Sequence, residues 1–133
     1  MNHDFLCPKC QGYLNVGERV IFTIKKKDWP GGILLLSPKL GEYIYEKHPT
    51  DKIKPGEKLE FHCPICQYDL TVEGADNFAK VLMKEGENEM FYVVFSKKEG
   101  EKCTYKISET KIEETFGEDA GRNIDVLSAS FFR

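Results

Sequence analysis

Nowhere in the sequence do about eighteen apolar residues run together, as a membrane-crossing helix requires. The first ten residues, MNHDFLCPKC, lack the basic start and apolar core of a secretory leader. Both absences lead us to expect a soluble, cytoplasmic chain. Cysteine is present in an odd number, five, which argues against a secreted disulfide framework and for a reducing compartment. Positive charge is in short supply as well. Residues 1–66 carry 10 Lys and Arg against 8 Asp and Glu, a balance of +2, and residues 67–133 carry 9 against 14, a balance of −5. Nucleic-acid binding draws much of its affinity from phosphate neutralisation, so this net charge disfavours it. The one basic triplet, Lys25, Lys26 and Lys27, would alternate faces on a strand and reads as a solvated strand end. There is no glycine-rich phosphate loop, no G-x-S-x-G, no H-E-x-x-H and no suggestive pair of carboxylates. No set of catalytic residues can be assembled by spacing, and we expect a non-enzyme.

What is present suits a small β protein. The 133 residues are 41% apolar, enough to fill a core. Their periodicity is mostly two, with Gly and Pro at short intervals. Strands are expected at Arg19–Lys26, Ile33–Ser37, Glu42–Lys47 and Lys58–His62, with Asp28 to Gly32 as a turn. The continuous run Ile33 to Ser37 suggests burial on both faces. Asn77–Lys84 fits either a helix capped by Asp76 or a strand facing Ala79, Val81 and Met83 inward, and its neighbours favour the strand. With Met90–Ser96 and Lys102–Ser108 it would form an antiparallel meander. Thr110 and Glu113 resemble a capping box, and Ile112 and Phe116 stand four apart, which points to a short helix ended by Gly117. The polar tail from Glu118 is expected to be loosely held unless Phe131 and Phe132 dock. The expected division is residues 1–74, a metal-binding unit with inserted strands, and residues 75–133, a meander packed on it, with a single domain as the alternative.

The strongest signal is an echo. CPKCQGYLNV at Cys7 to Val16 returns as CPICQYDLTV at Cys63 to Val72, and Phe5 matches Phe61 two places before each first cysteine. Seven identities in twelve positions, at an offset of 56, imply one structural unit written twice. A Cys-x-x-Cys turn brings two sulfurs to one side, and two such turns face to face offer Cys7, Cys10, Cys63 and Cys66 as the corners of a tetrahedron, the geometry Zn²⁺ accepts. The 52 residues between Cys10 and Cys63 are too many for a plain loop and must be a folded insertion. Buried free thiols and thiol redox chemistry are the competing readings. Redox use requires a cysteine activated at a helix N-terminus, and neither pair is followed by a helical pattern.

The two C-P-x-C segments with their exit strands resemble the knuckles of the zinc-ribbon superfamily and, more distantly, those of rubredoxin-like proteins, which hold iron. The resemblance covers about twenty residues. It implies one ion held by four cysteines, zinc or alternatively iron, in a mainly β fold with strands inserted between the knuckles. Family members often have glycine directly after the second cysteine; Gln11 and Gln67 stand there in this chain. Zinc held by four thiolates has no open position for water, so hydrolysis is not expected. His3 and His62 lie near the pairs and could replace a cysteine as ligand, but since four cysteines already complete the site they are read as supporting or exposed neighbours. Cys103 is read as a buried structural thiol, and His48 as having no site of its own. The resulting expectation is a zinc-binding protein-interaction module, with Trp29, Tyr43, Tyr45 and Phe131 as candidate anchors. The alternatives are a nucleic-acid-binding ribbon, which would need Lys25 to Lys27, Lys52, Lys54 and Lys58 to converge, and a rubredoxin-like electron carrier.

Overall fold

The computed structural model describes residues 3–27, 29–49 and 51–131, with the side chains at 29, 30, 126 and 129–131 outside the described set. Among these residues the order is β1 (Asp4–Leu6), β2 (Asn15–Val16), β3 (Arg19–Lys26), β4 (Trp29–Leu36), β5 (Tyr45–Lys47) and β6 (Glu60–His62), followed by β7 (Thr71–Val72), β8 (Ala75–Glu85), β9 (Glu89–Ser96), β10 (Thr104–Ile107), β11 (Ile112–Phe116) and α1 (Ala120–Phe131). The chain is mainly β. Two antiparallel sheets result, a larger one ordered β1-β8-β9-β10-β11 with β7 also on β8, and a smaller one ordered β2-β3-β4-β5 with β6 also on β3.

Alternation builds the space between the sheets. β3 turns Val20, Phe22 and Ile24 inward, and β8 answers with Ala79, Val81 and Met83, so Asn77–Lys84 follows the period of two rather than the helical one. Phe22, Phe61 and Phe95 meet at ring-centroid distances of 5.5, 5.6 and 5.2 Å. Edge contacts of this kind contribute about 0.5–1.5 kcal/mol each beyond the area they bury. The opposite face of the larger sheet carries Phe78, Val94, Tyr105 and Ile107, and α1 covers it with Ala120, Ile124 and Leu127.

The chain changes sheet at each cysteine pair. β1 runs beside β8, with Phe5 opposite Met83, whereas β2, after the first pair, runs beside β3. The second half does the converse: β6 runs beside β3, with Phe61 opposite Ile24, and β7, after the second pair, runs beside β8. β3 and β8 therefore each carry the exit strand of their own half and the entry strand of the other.

Several expectations fail for identifiable reasons. Residues 110–116 form no helix: β11 pairs with β10, Thr104 opposite Phe116 and Tyr105 opposite Thr115. A spacing of four is even, so Ile112 and Phe116 share a strand face as readily as a helix face. The loosely held tail is instead α1, whose Ala120, Ile124 and Leu127 follow one another at four and three residues, an apolar stripe. Asp119 ties its start down, accepting from the Lys102 backbone N–H at 2.9 Å. Phe132 and the Phe131 side chain lie outside the described residues. Of the expected turn at Asp28 to Gly32, Asp28 lies outside the described residues and the rest is strand: β4 begins at Trp29, opposite Lys26, and the register slips between Ile24 and Lys26 beside Gly31 at φ +121°. β4 is not buried on both faces either, since Ile33 is 56% exposed and Leu34 buried, as in an antiparallel sheet with one solvated face. Glu42 to Ile44 are not strand; β5 keeps only Tyr45–Lys47.

Candidate metal centre

The two knuckles fold by the same hydrogen bonds, shifted by the 56 residues of the echo. In the first, the Cys7 N–H donates to the Gly12 carbonyl at 3.1 Å, Gln11 to Cys7 at 2.9 Å and Leu14 to Phe5 at 2.7 Å. In the second, Cys63 donates to Tyr68 at 3.0 Å, Gln67 to Cys63 at 2.9 Å and Leu70 to Phe61 at 2.9 Å. Each turn is clasped by an antiparallel bridge, Leu6 with Tyr13 and His62 with Asp69. Gln11 and Gln67 are the only non-glycine residues with positive φ among those described, at 58° and 67°. The residue directly after the second cysteine of each knuckle thus holds a left-handed backbone, at a strain of about 1–2 kcal/mol for an L-residue.

These turns bring the four sulfurs together. All four Sγ atoms lie within 4.8 Å of one another. The contacts across the knuckles, Cys7 to Cys66 and Cys10 to Cys63, measure 3.7 and 3.9 Å. A regular tetrahedron of thiolates at a Zn–S length of about 2.3 Å has edges of about 3.8 Å. None of the five cysteines is in a disulfide. In each knuckle the first cysteine is buried and the second exposed, so the cluster sits at the surface where the sheets meet.

Backbone N–H groups point at the sulfurs. Lys9 donates to Cys7 at 3.4 Å, Ile65 to Cys63 at 3.3 Å and Gly12 to Cys10 at 3.4 Å. Burial pushes the Cys63 thiol up to about 12 and raises Cys7 as well, while the Tyr68 N–H, helped by the neighbouring thiols, draws Cys66 down to about 7. Two buried thiols that resist ionisation beside one that ionises readily make a set that a cation would complete, since a bound metal deprotonates its thiol ligands. The donor set, soft and fourfold, suits Zn²⁺ or iron.

The remaining predicted residues divide. Neither His3 nor His62 belongs to the sulfur cluster. The His62 Nδ1 lies 3.1 Å from the Gln67 carbonyl and must carry the proton, and its Nε2 faces Glu60 at 3.4 Å. With Asp69 these two form a second, more exposed group that sequence spacing did not suggest, because residues 60, 62 and 69 meet only through the knuckle's own bridge. Cys103 is wholly buried, 3.2 Å from the Tyr105 hydroxyl, and burial raises its thiol. Tyr43 and Tyr45 are half-buried, and their hydroxyls are used internally, on Phe116 and Thr104 and on Glu99. The Trp29 and Phe131 side chains lie outside the described residues. Lys26 reaches Glu57 at 3.0 Å and Lys58 pairs with Asp76, so two of the six candidate phosphate-binding lysines are engaged with carboxylates.

Fold and cluster together define a mainly antiparallel β protein with a four-cysteine group able to hold a metal ion. No protein-family model matches the chain, and neither a curated protein nor a solved structure matches it. No helix among the described residues is long and apolar enough to cross a membrane.

Proposed function

We propose that Cys7, Cys10, Cys63 and Cys66 hold one zinc ion as a closed tetrathiolate, and that the chain is a non-catalytic, zinc-ribbon-like module that engages a protein partner. The observation that carries the metal is the pair of cross-knuckle sulfur distances, 3.7 and 3.9 Å, which bracket the edge of a zinc–thiolate tetrahedron. Four protein ligands leave no vacant position, so the ion's role is to fasten the strands that enter and leave the knuckles. The partner reading draws on exposed apolar side chains beside the sulfurs. Tyr13 is 55% and Ile65 59% exposed, one on each knuckle, and Ile65 lies close over Gly12 of the other knuckle. Aromatic and apolar groups at such positions are the usual anchors of protein interfaces.

Metal content by mass spectrometry, with an absorption spectrum of untagged protein purified without added metal, tests this. One zinc per chain and no visible band is the expected result. One iron with visible charge-transfer bands would replace the structural reading with electron transfer. A metal-free chain with a reversible disulfide between knuckle cysteines would overturn both. The nucleic-acid alternative predicts binding that weakens steeply with salt; the ion pairs of Lys26 and Lys58 count against it.

A further inference from the structure

Between the two sheets, beside the packed rings of Phe22, Phe61 and Phe95, lies a cavity of about 340 Å³. Its walls come from both sheets: Val20, Phe22, Leu34 and Phe61 on one side, Val81, Val93 and Phe95 on the other. Residues 37–44 link β4 to β5 within the smaller sheet but reach over to the larger one, and Tyr43 in the link and Tyr45 at the start of β5 hold them there. The Tyr43 hydroxyl lies 2.9 Å from Thr104 Oγ1 and 3.1 Å from the Phe116 carbonyl, and Tyr45 donates to Glu99 at 2.9 Å. Beneath and beside this strap, Leu36, Leu40, Tyr45, Ile53 and Phe95 line the cavity yet remain only partly buried. Protein interiors ordinarily close such gaps, because unfilled apolar space forfeits dispersion contacts with nothing in return. A concave, mostly apolar space with a few polar groups at its rim is the usual form of a small-molecule site.

The rim gives the ligand its sign. Glu99 and Glu101 are already engaged, by the Tyr45 hydroxyl and by Ser96 Oγ at 2.6 Å. The ammonium groups of Lys39, Lys98 and Lys102, all lining residues, make no hydrogen bond or ion pair among the described residues; Glu42 is the one rim carboxylate without a bonded partner. Hydroxyl donors leave the charges of Glu99 and Glu101 in place, so the lining as a whole sets Lys39, Lys97, Lys98 and Lys102 against Glu42, Glu99 and Glu101, a balance of +1 that, with three ammonium groups unpaired, favours an anion at the mouth. In size the cavity is about twice the ~150 Å³ space that accepts benzene, which suits about twelve heavy atoms. We propose that this cavity binds a small amphiphile with an apolar body and an anionic head, tail between the sheets and head at Lys39, Lys98 and Lys102.

Calorimetric titration of the metal-loaded chain with decanoate, decanol and decyltrimethylammonium, each below its aggregation concentration, tests the proposal. One saturable site per chain is expected, with decanoate bound at least ten-fold more tightly than the cationic amphiphile. The double variant Lys98→Gln/Lys102→Gln should weaken decanoate at least five-fold and leave decanol unchanged. Leu36→Trp, which fills the cavity, should abolish binding of all three. Should that variant misfold, decanoate-induced NMR shifts confined to the methyls of Leu34, Leu36 and Val93 in the parent replace it. Absence of a saturable site, indifference to head-group charge, or shifts elsewhere on the chain would each overturn the assignment.

Discussion

Substituting Cys66 by serine sets burial against metal binding, because the two make opposite predictions. Cys66 is exposed, and its one change of atom, sulfur to oxygen, removes almost nothing from the core. An exposed substitution of this kind ordinarily changes stability by less than about 0.5 kcal/mol. If the four sulfurs hold zinc, the apparent folding contribution is about 10 kcal/mol or more, and the loss of one ligand in four forfeits roughly 3 kcal/mol. For a chain of this size that is a fall of about 10 °C in melting temperature. Cys103 is the control, since it is wholly buried and outside the cluster; Cys103→Ser should cost about 1–3 kcal/mol whether or not metal is present. Melting each variant by circular dichroism, with stoichiometric zinc and again with a strong chelator, separates the terms. Cys66→Ser should fall far below the parent in zinc and melt within about 0.5 kcal/mol of it in chelator. A Cys66→Ser protein that melts like the parent in zinc would refute the argument, however suitable the sulfur geometry.

Other predictions concern the parts that surround the site. Gly117, at φ +95°, would bring an added Cβ within 2.2 Å of the Lys102 carbonyl and 2.6 Å of the Tyr43 hydroxyl, whereas Gly56, at φ +80°, has nothing within 4 Å. In chemical denaturation Gly56→Ala should therefore cost about 1 kcal/mol and Gly117→Ala about 3 kcal/mol or more, and equal costs would remove the steric account. Leu127, fully buried on α1, should cost about 2–5 kcal/mol as alanine, with increased amide exchange in β10; an unchanged melting curve would mean that α1 does not dock as described. The Lys106 ammonium, 2.8 Å from Glu85, holds that carboxyl below its ordinary value near 4.5. A lowered folded value stabilises above the unfolded one and is lost as pH falls through the folded one, so the contribution, at most about 1 kcal/mol, should disappear on acidification below about 4.5. Glu85→Gln should flatten that part of the stability–pH curve, and an unaltered curve would exclude the pair as a contributor.

How far the sequence reaches can be judged from particular residues. The four cysteines were legible because the chemistry of a knuckle is local: C-P-x-C, a turn and an exit strand fit within ten residues, and the structure places both turns with matching hydrogen bonds. The choice of strand for Asn77–Lys84 succeeded for a similar reason, since Ala79, Val81 and Met83 carry the period within the segment itself. Failures came where the deciding contact is remote. Residues 112–116 are strand because β10 lies beside them, and the tail is helical because a face of the larger sheet awaits Ala120, Ile124 and Leu127. That stripe was present in the sequence, and its polar neighbours outweighed it. The cavity between the sheets could not be read at all, for its walls are drawn from residues as far apart as Phe5 and Thr104.

The echo explains itself only when both sheets are in view. Had each half kept its entry and exit strands in one sheet, two knuckles would have closed two separate sheets, and a metal between them would have joined surfaces already complete. Instead β1 adds to β8 and β6 to β3, so that Phe5 and Phe61 each enter a ladder built by the other half. Both crossings between sheets run through a cysteine turn, and the four sulfurs gather where those turns meet. An ion there would restrain both crossings at once, and its removal would free both three-residue entry strands, whose ladders are too short to be stable alone. Repetition of the motif is thus the sequence-level trace of an exchange of strands about a shared site, in which neither half is a finished sheet without the other.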